Sequence, residues 1–143
     1  MAFLFKILAH VNILAVIISG VAYWLLGAIW FSLIFGKTWS SELEKHGVKI
    51  SDPGKGGMAG KFISTFIFEI FIAFACATLV WVMGIENLGQ ALKLGLGLGV
   101  FFAALPMMIA YSWESRPLKL VLIDIGYPVT GVTLCVIILT FWK

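Results

Sequence analysis

Four stretches of this chain, each long enough and apolar enough to cross a lipid bilayer, leave little room for any other kind of fold. They run from about Ile7 to Phe35, Phe62 to Met83, Leu88 to Ser112 and Leu118 to Trp142. Each exceeds the roughly 20 residues that span about 30 Å of hydrocarbon as a helix. With 62% hydrophobic and 12% charged residues, the chain is far from the roughly 25% charged of soluble domains. No soluble core could bury so much apolar surface in 143 residues. The expectation is an all-α protein: one four-transmembrane-helix bundle over residues 1–143, with a short interfacial helix after the first span.

The first stretch is too long for the apolar region of a secretory signal and lacks a convincing small-residue cleavage site, so it is expected to be retained. Gly36-Lys37, Gly84-Ile85-Glu86-Asn87 and Trp113-Glu114-Ser115-Arg116-Pro117 punctuate the spans. The tight links among spans two to four predict that sequential neighbours pack antiparallel. The long link, 37–60, divides in two. In 39–46, Ser41 and Glu44 have capping-box spacing, Trp39 and Leu43 share a face, and Gly47 suits a C-terminal stop, which predicts a helix lying along the membrane surface. Residues 52–57, Asp-Pro-Gly-Lys-Gly-Gly, read as a flexible loop. Gly54-Lys55 has neither the spaced glycine before it nor the Ser/Thr after it that a phosphate-binding loop needs.

The net charge of +3 does not point to nucleic acid, because the ten basic residues are spread over loops and helix ends. They do bear on orientation. Lys37, Lys45, Lys49, Lys55, Lys61, Arg116 and Lys119 fall on one side, and Lys6, Lys93 and Lys143 on the other. The positive-inside rule then predicts a cytoplasmic 37–60 loop and both termini outside a bacterial inner membrane.

Two carboxylates inside spans, Glu69 and Asp124, are the candidates for chemistry. Glu69 lies eight residues beyond Lys61, about 12 Å along a helix axis. An ionised group near mid-bilayer costs about 2.5–3.5 kcal/mol on insertion scales, so such residues turn inward and find partners. With Tyr127 one turn from Asp124, the set reads either as a proton or cation site or as a hydrogen-bonded helix clamp using Tyr127, Ser64 or Thr65. Pro128 cannot donate to the Asp124 carbonyl and is expected to bend the fourth span there. In the first span Asn12, Ser19, Tyr23 and Trp30 lie within about 20° of one common line at 100° per residue, a polar-aromatic stripe that should face protein.

Gly95, Gly99 and Ala103 form a small-xxx-small ridge, read either as packing within one chain or as a dimer seam. Pro106 should kink the same span. Cys76 and Cys135 are expected to be free, packed at matching depth. His10 and His46 fall at opposite ends of the first span, so no metal is assigned, and no cofactor.

Two stretches carry a family resemblance. Gly27-Ala28-Ile29-Trp30-Phe31-Ser32-Leu33-Ile34-Phe35-Gly36-Lys37-Thr38-Trp39 is similar to the G-A-x-W-[YF]-x-x-x-F-G-K-x-W signature of a bacterial family of small four-span membrane proteins classed as a domain of unknown function. Asn12 matches the asparagine that often opens that span. Ser115 through Tyr127 resembles the same family's R-P-L-x-L-x-x-[ID]-x-G-Y stretch, although the histidine that often follows it is Pro128 here. The resemblance implies a four-helix membrane protein and no reaction. Two functions remain open: a non-enzymatic bundle acting by association, with itself as a homo-oligomer or within a larger membrane complex, and a proton-coupled or cation-conducting oligomer built around Glu69 and Asp124. The lipid bilayer is a partner in both.

Overall fold

A computed structural model describes residues 2–47 and 58–142. The expected loop at 52–57 and the cations Lys49, Lys55 and Lys143 lie outside the described residues. Among those described there is no strand, and four helices are long and apolar enough to cross a membrane: Ile13–Ile34, Met58–Val82, Leu88–Trp113 and Leu118–Phe141.

The first span differs from expectation at its start. Ala2–His10 is a separate helix, α1, and Asn12 is extended, at φ −73° and ψ 102°, with its side-chain oxygen accepting from the Ala15 amide at 3.1 Å. An asparagine in that role satisfies one of the amides a helix start leaves open. The span therefore begins at Ile13 instead of Ile7, and Asn12 leaves the polar stripe to become the cap of α2 (Ile13–Ile29).

A wide π turn, Trp30–Ile34, ends the span, closed by the Phe35 amide on the Trp30 carbonyl at 2.9 Å. Helix α3 follows directly, Gly36–Lys45. Its start lies five residues before Ser41, so Ser41 and Glu44 form no capping box; Ser41 sits in mid-helix. The predicted stop holds: Gly47 adopts φ +72° and donates to the Glu44 carbonyl at 3.0 Å.

The second span, α4 (Met58–Val82), ends in a Schellman turn. Gly84 takes φ +61°, its amide reaches Trp81, and the Ile85 amide reaches Val80 at 3.0 Å, with Ile85 and Val80 both buried. Asn87 then caps α5 (Leu88–Gly97) through the Gln90 amide. A second π turn, Leu98–Ala104, joins α5 to α6 (Leu105–Trp113). The irregularity expected of Pro106 thus falls one turn earlier: Pro106 offers no amide to the carbonyls before it, and the helix widens there to bond i to i−5.

The last span, α7 (Leu118–Phe141), runs unbroken through Pro128 and is the central post of the molecule. It packs against the first, second and third spans. Spans two and three, although joined by a short turn, do not pair: span two lies on spans one and four, and span three leans chiefly on span four. An apolar slot of about 270 Å³ opens between them, walled by Ile72, Cys76 and Leu79 on one side and Leu98, Phe102 and Ala103 on the other.

The small-residue ridge explains how span three attaches. A Cβ on Gly95 would sit 2.7 Å from the Thr133 backbone, and one on Gly99 2.7 Å from the Val129 backbone. Two glycines four apart thus lie on two α7 residues four apart, within one chain. Ala103 does not continue the row. The π turn inserts an extra residue, so the buried small side chain at that end is Ala104, and Ala103 lines the slot.

Candidate functional site

Most of the polar side chains of the core come from three spans. Glu69 and Asp124 are 7% and 8% exposed, which confirms that both turn inward. Their partners differ. Tyr127 donates to Glu69 Oε1. Its single proton goes to the carboxyl group, since the nearby Tyr23 carbonyl lies farther away, at 3.5 Å. Asp124 accepts from the Trp39 indole nitrogen at 2.9 Å and from Arg116 at 3.2 Å. The two acids do not bond one another; they sit on either side of one turn of α7, with Tyr127 turned to Glu69 and Asp124 turned to the membrane-surface end.

Small residues create the space for this arrangement. Gly27 allows the Tyr127 hydroxyl to approach: a Cβ there would lie 2.7 Å from it. Gly131 lies under the Tyr23 ring so closely that no side chain fits. The Tyr23 and Tyr127 rings are 5.1 Å apart, and Phe31 packs edge-on to Tyr127 at 5.3 Å and to Trp39 at 5.3 Å. Tyr23 and Ser19, both buried, hold the middle of the stripe expected of the first span. Trp30 completes its lower end by donating to the Ile123 carbonyl at 3.0 Å. Cys135 donates to the Ser19 carbonyl at 3.4 Å; Cys76 and Cys135 are both free and buried.

Among the described residues, two buried polar side-chain atoms have no partner: Glu69 Oε2 and Ser19 Oγ. A lone buried oxygen costs about 1–3 kcal/mol, so each invites a proton, a water or a cation. Ser64 and Thr65, considered as clamps, spend their hydroxyls on carbonyls of their own helix, Lys61 and Phe62.

The surface end is built by another helix stop. Ser115 takes φ +53°, and the Arg116 amide bonds the Tyr111 carbonyl at 3.2 Å, the Schellman pattern with serine in place of glycine. That turn lays the guanidinium over the Tyr111 ring, 4.2 Å from its centre, between Glu114 at 2.7 Å and Asp124. Burial alone would lower the Arg116 pKa, but the Glu114 bond and the surrounding negative charge outweigh it and hold it above the ordinary value. Arg116 is a permanent counter-ion. Alongside, Glu42 accepts from Lys45 at 3.0 Å and lies 3.8 Å from Lys119, tying α3 to α7. The Lys45 bond holds the Glu42 carboxyl below the ordinary carboxylate range.

Trp39 and Arg116 are the two site residues that a residue-by-residue reading of the sequence misses, one taken as an interfacial anchor and the other as a loop charge. Both stand in the two motif stretches. Folded, those stretches converge: Gly27, Trp30, Phe31 and Trp39 from one meet Arg116, Ile123, Asp124 and Tyr127 from the other. Residues 14–140 match the model of a protein family of unknown function, DUF1761. The chain belongs to that family. Searches of curated proteins and of solved structures gave no match. For a DUF1761 protein the convergence means that the surroundings of Glu69 and Asp124 are assembled mainly from both ends of the matched region, with span two adding Glu69 itself.

Proposed function

We propose that this is a non-enzymatic membrane protein of the proton-coupled transport class, with Glu69 as the group that takes up and releases the proton. The observation that carries the reading is the unpartnered Glu69 Oε2 beside a Tyr127-bound Oε1 in an apolar core. A clamp that served stability alone would have both oxygens satisfied, or an amide in place of the acid. Asp124, fixed by Arg116 and Trp39 at the surface end of the same helix, is the relay between water and Tyr127. An intramembrane ionisable residue is by default a functional-site hypothesis, and proton relays are among its recurring uses. By the distribution of charge we place the Arg116 end in the cytoplasm and the protein in a bacterial inner membrane.

The test is proton flux into liposomes carrying purified protein and a trapped pH dye, under an imposed gradient. Wild type should conduct, and Glu69→Gln, which keeps shape and the Tyr127 bond, should lose at least tenfold. Equal flux in both, or none above empty liposomes in wild type, overturns the assignment.

One observation favours association as a second reading. Within an 18-residue apolar stretch of each, only 17% of the third span is buried, against 44% of the fourth. With Gly95 and Gly99 used inside the chain, the surface open to another helix is the Phe102 side of span three. Disulfide cross-linking of Phe102→Cys in membranes would report such a contact, and its absence would remove this reading.

A further inference from the structure

The end of the molecule opposite Arg116 holds a cavity of about 270 Å³ whose lining differs from the rest of the membrane surface. Because Asn12 stops α1 from continuing into α2, the chain turns there and leaves space against the ends of α4 and α7. Trp81 and Trp142 supply indole surface, and the Schellman turn at Gly84 carries Glu86 to the rim. His10 forms another wall. Its Nδ1 lies 2.8 Å from the Lys6 carbonyl, which can only accept, so Nδ1 carries the proton; the ring stacks on Trp81 at 4.8 Å and 24°. Asn12 spends its side-chain oxygen on the α2 cap.

We propose that this cavity binds an alkylammonium cation. Tryptophans at a membrane interface need no ligand to explain them, but a glutamate sharing one cavity lining with two tryptophans is not required by the interface. Among the described residues of the lining, the one carboxylate is that of Glu86, and there is no lysine or arginine. Indole faces are negative and attract cations, most strongly those too bulky to hydrate well, which is how aromatic cages select quaternary ammonium. The volume equals that of about nine waters, room for a trimethylammonium group with a short tail. An anion would meet Glu86, and an apolar solute would leave Glu86 without a counter-charge. The cation could be a free solute or the headgroup of a neighbouring lipid; the recognition chemistry is the same. The site lies at the other end of the molecule from Arg116 and Asp124 and does not rest on the proton reading.

The probe is choline, titrated calorimetrically into the full chain in an uncharged detergent, with 3,3-dimethylbutan-1-ol as its uncharged isostere. Saturable choline binding is expected, with the isostere at least tenfold weaker. Glu86→Gln and Trp142→Leu, both at exposed positions, should each weaken choline at least tenfold. Equal binding of the isostere, no saturable heat with folded protein, or indifference to both substitutions overturns the proposal. Repeating the titration in nanodiscs separates the sources. Loss of choline binding in phosphatidylcholine but not in phosphatidylglycerol identifies a lipid headgroup as the occupant, and retention in both identifies a free cation.

Discussion

Two alanine substitutions two residues apart on span three should move stability in opposite directions. A Cβ on Gly99 meets the Val129 Cα at 2.7 Å, where ordinary contact begins near 3.4 Å, and the obstacle is backbone that cannot rotate away. Span three must therefore back off span four by several tenths of an ångström along their closest line, and overpacking of this kind costs about 1–3 kcal/mol. A backbone obstacle belongs to the upper half of that range. A Cβ on Gly97 meets nothing within 4 Å. Both changes gain the same helix preference of alanine over glycine, about 0.8–1.0 kcal/mol. Subtracting one from the other cancels that gain and isolates the clash, about 2–3 kcal/mol, or roughly 30- to 150-fold in the unfolding equilibrium. The assay is unfolding in dodecyl maltoside with increasing SDS, followed by circular dichroism, with Gly97→Ala above wild type and Gly99→Ala below it. Coincident curves would refute the packing argument. A change of oligomer size in Gly99→Ala, with the monomer's stability unchanged, would show that the ridge faces a second copy after all.

Ser115→Gly should stabilise by about 0.5–1 kcal/mol, because a non-glycine residue at φ +53° costs roughly 1–2 kcal/mol and glycine returns part of that as chain entropy; the same SDS titration reads it. Tyr127→Phe should destabilise by about 1–3 kcal/mol, since it leaves the Glu69 carboxyl with no partner. In a double-mutant cycle with Glu69→Leu, which removes the acceptor, the coupling should be well above zero, and a zero coupling would mean the bond contributes nothing. Acidification should loosen α3: the Glu42 carboxyl is held low in the fold, so its contribution is present above the ordinary carboxylate range and is lost as pH falls through the lowered value, which protection of α3 amides from hydrogen exchange would follow. Thiol counting after unfolding without reductant should find both Cys76 and Cys135 reactive, and fewer than two would contradict the free, buried pair.

The spans were legible because apolar length alone defines them, and the inward turn of Glu69 and Asp124 because a bilayer leaves a carboxylate nowhere else to go. Asn12 was legible as a polar residue but not as a cap: within a long apolar stretch, its side chain offers the same letter to a stripe and to a helix start. The row Gly95, Gly99, Ala103 failed at its third member because a period of 3.6 residues assumes a regular helix, and the π turn at Leu98–Ala104 breaks that period. Pairing of sequential spans held for three with four and failed for two with three, for a different reason. A short link fixes only that two helices are near at one end, whereas packing is decided by which faces carry glycine, and those of span three match α7. Trp39 and Arg116 were hidden because their partner, Asp124, is 85 and 8 residues away, and only the fold brings indole, guanidinium and carboxylate together.

The placement of the two acids' partners has a consequence for how the chain enters the membrane. Asp124 and its counter-ion Arg116 belong to the same hairpin, eight residues apart, so the acid carries its own neutralising charge into the bilayer from the moment that hairpin forms. Glu69 has no such provision. Its one hydroxyl partner is on the last span, some 58 residues later, and its own helix offers it nothing in exchange. Through the emergence of span three, the second helix is an inserted segment with an unanswered acid, to be held by the insertion machinery or left protonated in lipid. Glu69 thus meets its hydroxyl partner only when span four is in place, so a helix made earlier has its site completed by one made later.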